Sequence, residues 1–212
     1  MRVILALLGL TVLLAACAVE PSPTLTSCPI AAPTAEEASV ILADADQAVI
    51  ATNHGEFTLT FASPAAPIAT ANFVALARCG FFDGITFHRV LAGFVIQAGD
   101  PQTRDNHEDF ETLGTGGPGY HFAIEIPTAD QFYDPYVVAM ANNGQPDSNG
   151  SQFFICLTDL DSRLDRVYTI FGQITDGTEV VDDIGQVPVN DPQLGVPTDA
   201  VIIESITVSS AN

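Results

Sequence analysis

The sequence contains no lysine and no tryptophan, and its only cationic side chains are six arginines. These stand against 26 Asp and Glu in 212 residues, for a formal charge of −20. A phosphate polyanion needs clustered cations on its partner, so this balance excludes nucleic acid as a partner. Histidine is equally sparse: residues 54, 88, 107 and 121 lack the short paired spacing of zinc ligands, and no metal is expected. The acidic stretch Glu108, Asp109, Glu111 lacks the spacing of a calcium loop and is read as a solvated face. What is abundant is apolar: 47% of residues are hydrophobic and 15% charged, enough for one folded core and too apolar for overall disorder.

The N-terminus stands apart from that core. Met1-Arg2 precedes an apolar run over residues 3–14, interrupted only by Gly9 and Thr11, which is short for a bilayer span. Leu14-Ala15-Ala16-Cys17 follows, and this resembles the lipobox of bacterial lipoproteins, in which the cysteine is lipidated and becomes the first residue. The alternative is an ordinary signal peptide with an incidental cysteine. On the lipoprotein reading residues 1–16 are a signal peptide, and 17–45 are the lipidated Cys17 plus a tether rich in Pro and Ala. Residues 46–212 then form the working domain, an extracytoplasmic, membrane-anchored monomer. Several acyl chains on one cysteine anchor firmly where a single chain does not.

From Val49 the pattern becomes that of strands. Residues 49–52 and 57–61 flank Asn53-His54-Gly55-Glu56 as a hairpin. Residues 70–79 place Phe73, Leu76 and Ala77 at helical spacing and stop at Gly80. Further strands are expected at 85–90, 94–97, 120–125, 136–141, 152–157, 169–174 and 201–208, with a second helix over 176–184. Many short strands and two helices define a mainly β, antiparallel sandwich or barrel with helical caps, and periodicity does not choose between the two.

Three segments carry residues that a plain strand does not need. Phe87-His88-Arg89-Val90 leads to Gly93-Phe94-Val95-Ile96-Gln97-Ala98-Gly99-Asp100, setting an Arg and a Gln among aromatics and aliphatics. Gly114-Thr115-Gly116-Gly117-Pro118-Gly119 is a loop whose backbone could approach a ligand. Met140-Ala141-Asn142-Asn143-Gly144 runs on toward Asn149-Gly150-Ser151-Gln152-Phe153-Phe154-Ile155. In this order and separation the three resemble the cyclophilin-type peptidyl-prolyl isomerases, from about Val49 to Val208 and including Tyr168-Thr169-Ile170-Phe171-Gly172. The resemblance implies an eight-stranded antiparallel barrel capped by two α-helices. The nine candidate strands exceed that by one, and 120–125 is the one most readily read as loop.

The resemblance also implies a chemistry, which the residues can be asked to support. Rotation about a prolyl peptide bond crosses a barrier of roughly 18–20 kcal/mol set by amide resonance. The cis and trans ends differ by only about 0.5–1 kcal/mol. No nucleophile or cofactor is needed; a catalyst must bind the twisted bond better than either planar form. Twisting localises the lone pair on the prolyl nitrogen, and a guanidinium donor beside it favours that state. Arg89 matches the family's catalytic arginine, and a barrier lowered by about 7–8 kcal/mol would give roughly 10⁵–10⁶-fold acceleration. By the same correspondence Phe94, Val95, Phe154 and Leu164 form an apolar cup for the proline ring. Gln97 would fix the guanidinium and touch substrate backbone. Asn142 would hold the residue before proline through its main chain, and Ala141 and Gln152 would line the neighbouring groove. His88 and Tyr168 occupy the remaining family positions, Tyr168 replacing a histidine common in eukaryotic members. The implied partners are proline-containing polypeptides, with the folding of exported proteins as the task.

Other residues depart from the family or fall outside its site. Where eukaryotic members carry a Trp that helps to bind cyclosporin, this chain has Arg163; Val95 stands where Met is usual, and Gln145 is a one-residue insertion. Phe87, Ile96, Phe153 and Ile155 are assigned to the core, because strand alternation turns them away from their functional neighbours. With Cys17 lipidated, Cys28, Cys79 and Cys156 remain. Cys156 lies in an apolar strand, which leaves Cys28 and Cys79 either as a bridge pinning the tether to the helix end or as two free thiols. The competing functional class is a proline-binding chaperone module in which catalysis is incidental.

Overall fold

The alternation read in residues 49–61 forms the first hairpin of a computed structural model that describes residues 27–104 and 112–211. β1 (Gln47–Thr52) pairs antiparallel with β2 (Gly55–Phe61), with Ile50 opposite Phe57 and Thr52 opposite Gly55. Asn53 and His54 make the turn, and Gly55 follows at φ 125°, a region that a side chain would resist. The remaining strands are β3 (Arg89–Leu91), β4 (Val95–Ala98), β5 (Val137–Met140), β6 (Phe153–Cys156), β7 (Ile170–Asp176) and β8 (Ile203–Ser209). They form one eight-stranded antiparallel sheet in the order β3-β4-β6-β5-β7-β2-β1-β8. The two edges meet outside the regular ladders: Thr86 bridges Ile202, Phe87 donates to Val201 at 2.8 Å, and Ile203 donates to Ile85 at 2.8 Å. The sheet thereby curls back on itself, and neither edge is left as an open template.

The inner face is a dry core of aromatic and β-branched side chains. Phe73 lies at its centre, with ring centroids 5.0 Å from Phe82, 5.3 Å from Phe171 and 5.5 Å from Phe153. It belongs to α2 (Pro67–Arg78), in which every residue from Ala69 to Ala77 is buried. A helix apolar on all sides has no solvent face to present and must pass through the core. Its own N-cap, Ala66, offers no side-chain acceptor. Glu125 substitutes from a distant loop, accepting from the Ile68 and Ala69 amides at 2.9 and 2.8 Å.

Several expectations are corrected here. The segment expected to be a tether as far as residue 45 is not one throughout, because residues 27–45 fold against the domain. α1 (Ala35–Ile41) starts at a complete capping box between Thr34 and Glu37, and Cys28 is disulfide-bonded to Cys79 at the end of α2. Pro29 and Pro33 hid this element from periodicity, and only Ala38 of the short helix is buried. Among the described residues the α-helices are therefore three, α3 (Thr178–Ile184) being the one expected over 176–184. Residues 120–125 are not a strand, although Phe122 makes a single bridge to Asn149. The expected strand at 85–90 shrinks to Arg89–Leu91, because its first half pairs only with the 201–203 segment. The expected signal peptide, the expected lipidation site Cys17, and the acidic stretch with Glu108, Asp109 and Glu111 lie outside the described residues.

Candidate active site

Strand alternation divides the sheet's residues between two hydrophobic clusters. Ile96 pairs with Ile155 and Ile155 with Val138, and these fill the inner core with Phe87 and Phe153. One residue on, the outward row runs Arg89, Gln97, Phe154, Ala139 across β3, β4, β6 and β5. On that outer side Val95, Tyr133, Val137, Ala139, Phe154, Cys156, Leu160 and Ile170 form a second cluster. Phe94, Ala141, Leu164 and Tyr168 pack against its rim, only partly buried. The cup inferred from Phe94, Val95, Phe154 and Leu164 is thus one surface of this cluster. Phe154 and Val95 are its buried floor, and Phe94, Leu164 and Tyr168 its open edge.

The edge is held by groups that sequence reasoning missed. Tyr133 is fully buried, and its hydroxyl donates to the Tyr168 carbonyl at 3.0 Å and accepts from the Tyr168 amide at 3.1 Å. This fixes Tyr168, whose ring stands edge-on to Phe154 at 5.4 Å. Leu164 is set by a turn in which the Arg163 and Leu164 amides both donate to the Leu160 carbonyl, at 2.8 and 2.9 Å. A lone tyrosine in a loop gave no periodic signal by which Tyr133 could be found.

A polar groove of about 390 Å³ adjoins the cup, lined among others by Gln97, Gly116, Ala141, Asn142 and Gln152. The Gln97 side-chain amide donates to Gln152 Oε1 at 2.9 Å, and Gln152 Nε2 donates to the Gly116 carbonyl at 2.8 Å. Gln97, expected to fix the guanidinium, is therefore bonded to Gln152, although it is the register partner of Arg89. The glycine loop hangs on Asp100, which is fully buried and accepts from the Gly114 and Gly116 amides at 2.8 and 3.1 Å and from Gln102 at 2.9 Å. A Cβ on Gly116 would meet Asp100 Oδ1 at 2.1 Å, so the loop's glycine is a steric requirement. Asn142 is held through its side chain, which donates to the Val167 carbonyl at 2.9 Å and accepts from the Gly144 amide at 3.0 Å. Asn142 thereby keeps its place in the lining of the groove.

Arg89 is half-buried, and burial lowers its pKa, with the Tyr168 phenol acting in the opposite sense. Arginine stays charged regardless, so the consequence is a poorly hydrated cation. Three of the other four arginines among the described residues have internal tasks, and Arg163 stacks on Phe94. Arg78 binds the Ile41 carbonyl and Asp44, Arg104 the Phe81 and Asp83 carbonyls, and Arg166 Asp161 and two carbonyls. Among the described residues the Arg89 guanidinium has no hydrogen-bonding or ionic partner. Its neighbour His88 is 3% exposed, and neither ring nitrogen makes a hydrogen bond of good geometry, although the Thr86 backbone lies close enough to favour the charged ring slightly. Burial pulls its pKa to about 4 against the opposing charge of Asp100, so the ring is neutral at neutral pH. Although almost wholly buried, it lines a small cavity of about 200 Å³ together with Arg89 and Gln97.

A curved antiparallel sheet carrying an apolar cup, an unpaired guanidinium and a bonded glutamine pair defines an enzyme of prolyl-bond rotation. The model of the family "Cyclophilin type peptidyl-prolyl cis-trans isomerase/CLD" matches residues 48–208, and the chain belongs to that family. It is 40% identical over 179 residues to peptidyl-prolyl cis-trans isomerase A of Mycobacterium tuberculosis, covering 76% of this chain and 91% of the relative. Against isomerase B of Streptomyces anulatus the identity is 38% over 180 residues, covering 77% and 96%. Its fold matches a crystal structure of a Cryptosporidium parvum cyclophilin-type isomerase at a TM-score of 0.69 and 32% identity, over 79% of this chain and 99% of that one. A second structure of that isomerase, in the presence of the dipeptide Ala-Pro, matches at 0.68 and 32%, over 78% and 99%. The protein is a peptidyl-prolyl cis-trans isomerase with the cyclophilin fold.

Proposed function

We propose that Arg89 is the group that lowers the rotational barrier, with the cup seating the proline ring and the groove seating the preceding chain. The observation that carries this reading is the partnerless, half-buried Arg89 guanidinium beside the cup in a chain otherwise crowded with carboxylates. A cation already neutralised by Asp or Glu would gain little from a prolyl nitrogen. One left with free N–H groups gains most when the twisted bond presents a localised lone pair. Gln97 and the main chain of Asn142 fix the flanking peptide so that only the rotating bond moves. Such a cation also favours an enzyme over a pure binding module, which needs no charge aimed at the prolyl nitrogen. The test is cis-to-trans exchange of a proline peptide: Arg89→Ala should lower kcat/KM by at least about a hundredfold, and a loss under threefold would overturn the role.

The same proposal places the domain outside the cytoplasm, anchored through a lipid on Cys17 and acting on proline-containing segments of exported proteins. The Cys28–Cys79 disulfide supports an oxidising compartment. The acidic charge also favours a domain held off from anionic headgroups while its anchor stays in the bilayer. Full-length protein should sediment with membranes and become soluble on Cys17→Ser; equal partition of the two would refute the anchor.

A further inference from the structure

Arg163 is the second cation at the groove. Its guanidinium carbon lies 4.7 Å from the centre of the Phe94 ring, and Nη1 donates to the Gly93 carbonyl at 3.2 Å. Phe94 is the open wall of the cup, so the stacking fixes a positive charge on the rim over which substrate residues flanking proline must pass. Arg163 itself is exposed, and unlike Arg78 and Arg166 it has no carboxylate partner among the described residues. Nearby acids do not pair with it: Asp161 is bonded to Arg166 at 3.2 Å, Asp159 accepts from the Asp161 amide at 3.0 Å, and Asp165 makes no ion pair with it.

In a chain of −20, an acidic peptide approaching most of the surface meets repulsion. The cup is the exception, with Arg89 at its side and Arg163 on its rim. We propose that Arg163 is a specificity-determining residue that selects substrates carrying Asp or Glu next to the isomerised proline. This rests on the assignment of the cup and groove as the substrate site. The planar guanidinium keeps N–H groups free beyond the Gly93 bond and can grip a carboxylate through two of them. Its Phe94 platform reduces the freedom lost when it does so.

The test compares kcat/KM for peptide pairs differing only by Glu or Gln, placed one or two residues before or after proline. Wild type should prefer Glu at one of these positions by about two- to fivefold at low salt, the range of a solvent-exposed ion pair. The preference should shrink at about 0.5 M salt, where the Debye length falls to about 4 Å. It should vanish or invert in Arg163→Gln and survive in part in Arg163→Lys, which keeps the charge and loses the planar fork. A flat ratio in wild type at every position, or an unchanged ratio in Arg163→Gln, overturns the proposal. Arg89→Ala measured on the Gln peptides separates the two levels. Full turnover there overturns the site assignment itself, whereas lost turnover with flat ratios overturns Arg163 alone.

Discussion

Gln97 donates its side-chain amide to Gln152 Oε1 at 2.9 Å, and Gln152 passes the constraint on to the Gly116 carbonyl. The β4 strand and the glycine loop are thus tied by two side-chain bonds beneath the groove, next to Arg89 in register. Gln152→Ala should free the Gln97 amide to rotate. Loss of one hydrogen bond's net worth, about 1 kcal/mol, corresponds to about a fivefold fall in kcat/KM. Thermal unfolding should shift by only a few degrees. Kinetics unchanged in this variant would show that the pair orients nothing.

The loop's geometry rests on a buried carboxylate, and Gly116 is where the fit is tightest. The Cβ of Gly116→Ala would lie 2.1 Å from Asp100 Oδ1, so either the loop lifts or the carboxylate turns. Both outcomes strand a buried acceptor, at a cost of about 1–3 kcal/mol. The midpoint of thermal unfolding should fall, and turnover should fall with it because Gln152 loses its acceptor. A variant of wild-type midpoint and turnover would remove the loop from the site's support.

How much of this was legible in the sequence depends on what each element relies on. The β1–β2 hairpin and the Phe73 helix were visible because alternation and helical spacing are local signals that the core then uses. Residues 85–88 looked like strand because Ile85 and Phe87 alternate with polar neighbours, but their pairing with residues 201–203 is too short to make a regular ladder. α1 was invisible because its seven residues bury one alanine, and its place is fixed by a disulfide and a neighbouring helix. The site residues came from motif resemblance, and the structure sets Phe94, Val95, Phe154, Leu164 and Tyr168 in one apolar cluster and Gln97, Asn142 and Gln152 in the adjoining groove. Tyr133, a single buried ring from an irregular segment, and the reach of Glu125 across to α2 follow from tertiary placement alone.

The Cys28–Cys79 bond closes a long loop and holds the 27–45 segment to the end of α2. On chain-entropy grounds such a bridge contributes about 4 kcal/mol. For a domain of this size that corresponds to roughly 8–16 °C in the unfolding midpoint. Cys28→Ser paired with Cys79→Ser should lower the midpoint by that order. Neither residue lines the cup or the groove, so turnover measured below the transition should stay at wild-type level. A midpoint unchanged between oxidised and reduced wild type would show that the bridge does not stabilise the fold.

His88 makes stability depend on pH with a definite sign. Its folded pKa is pulled down to about 4 by burial, against about 6.5 for an unfolded chain. The unfolded state therefore binds the proton more readily between these values, and the contribution of the neutral ring is whole above pH 6.5. It declines as pH falls toward 4 and is fully lost below. By pH 4.5 the loss from this one group is about 2–3 kcal/mol. His88→Leu removes the titration while keeping an apolar side chain in a buried place. Urea unfolding from pH 7.5 to 4.5 should show wild type losing more stability than the variant by about that margin. Parallel curves for the two proteins would mean that the ring is charged, or hydrated, in the folded state. Activity should not follow the same titration above pH 6, because rotation assisted by a guanidinium transfers no proton and the imidazole is already neutral there.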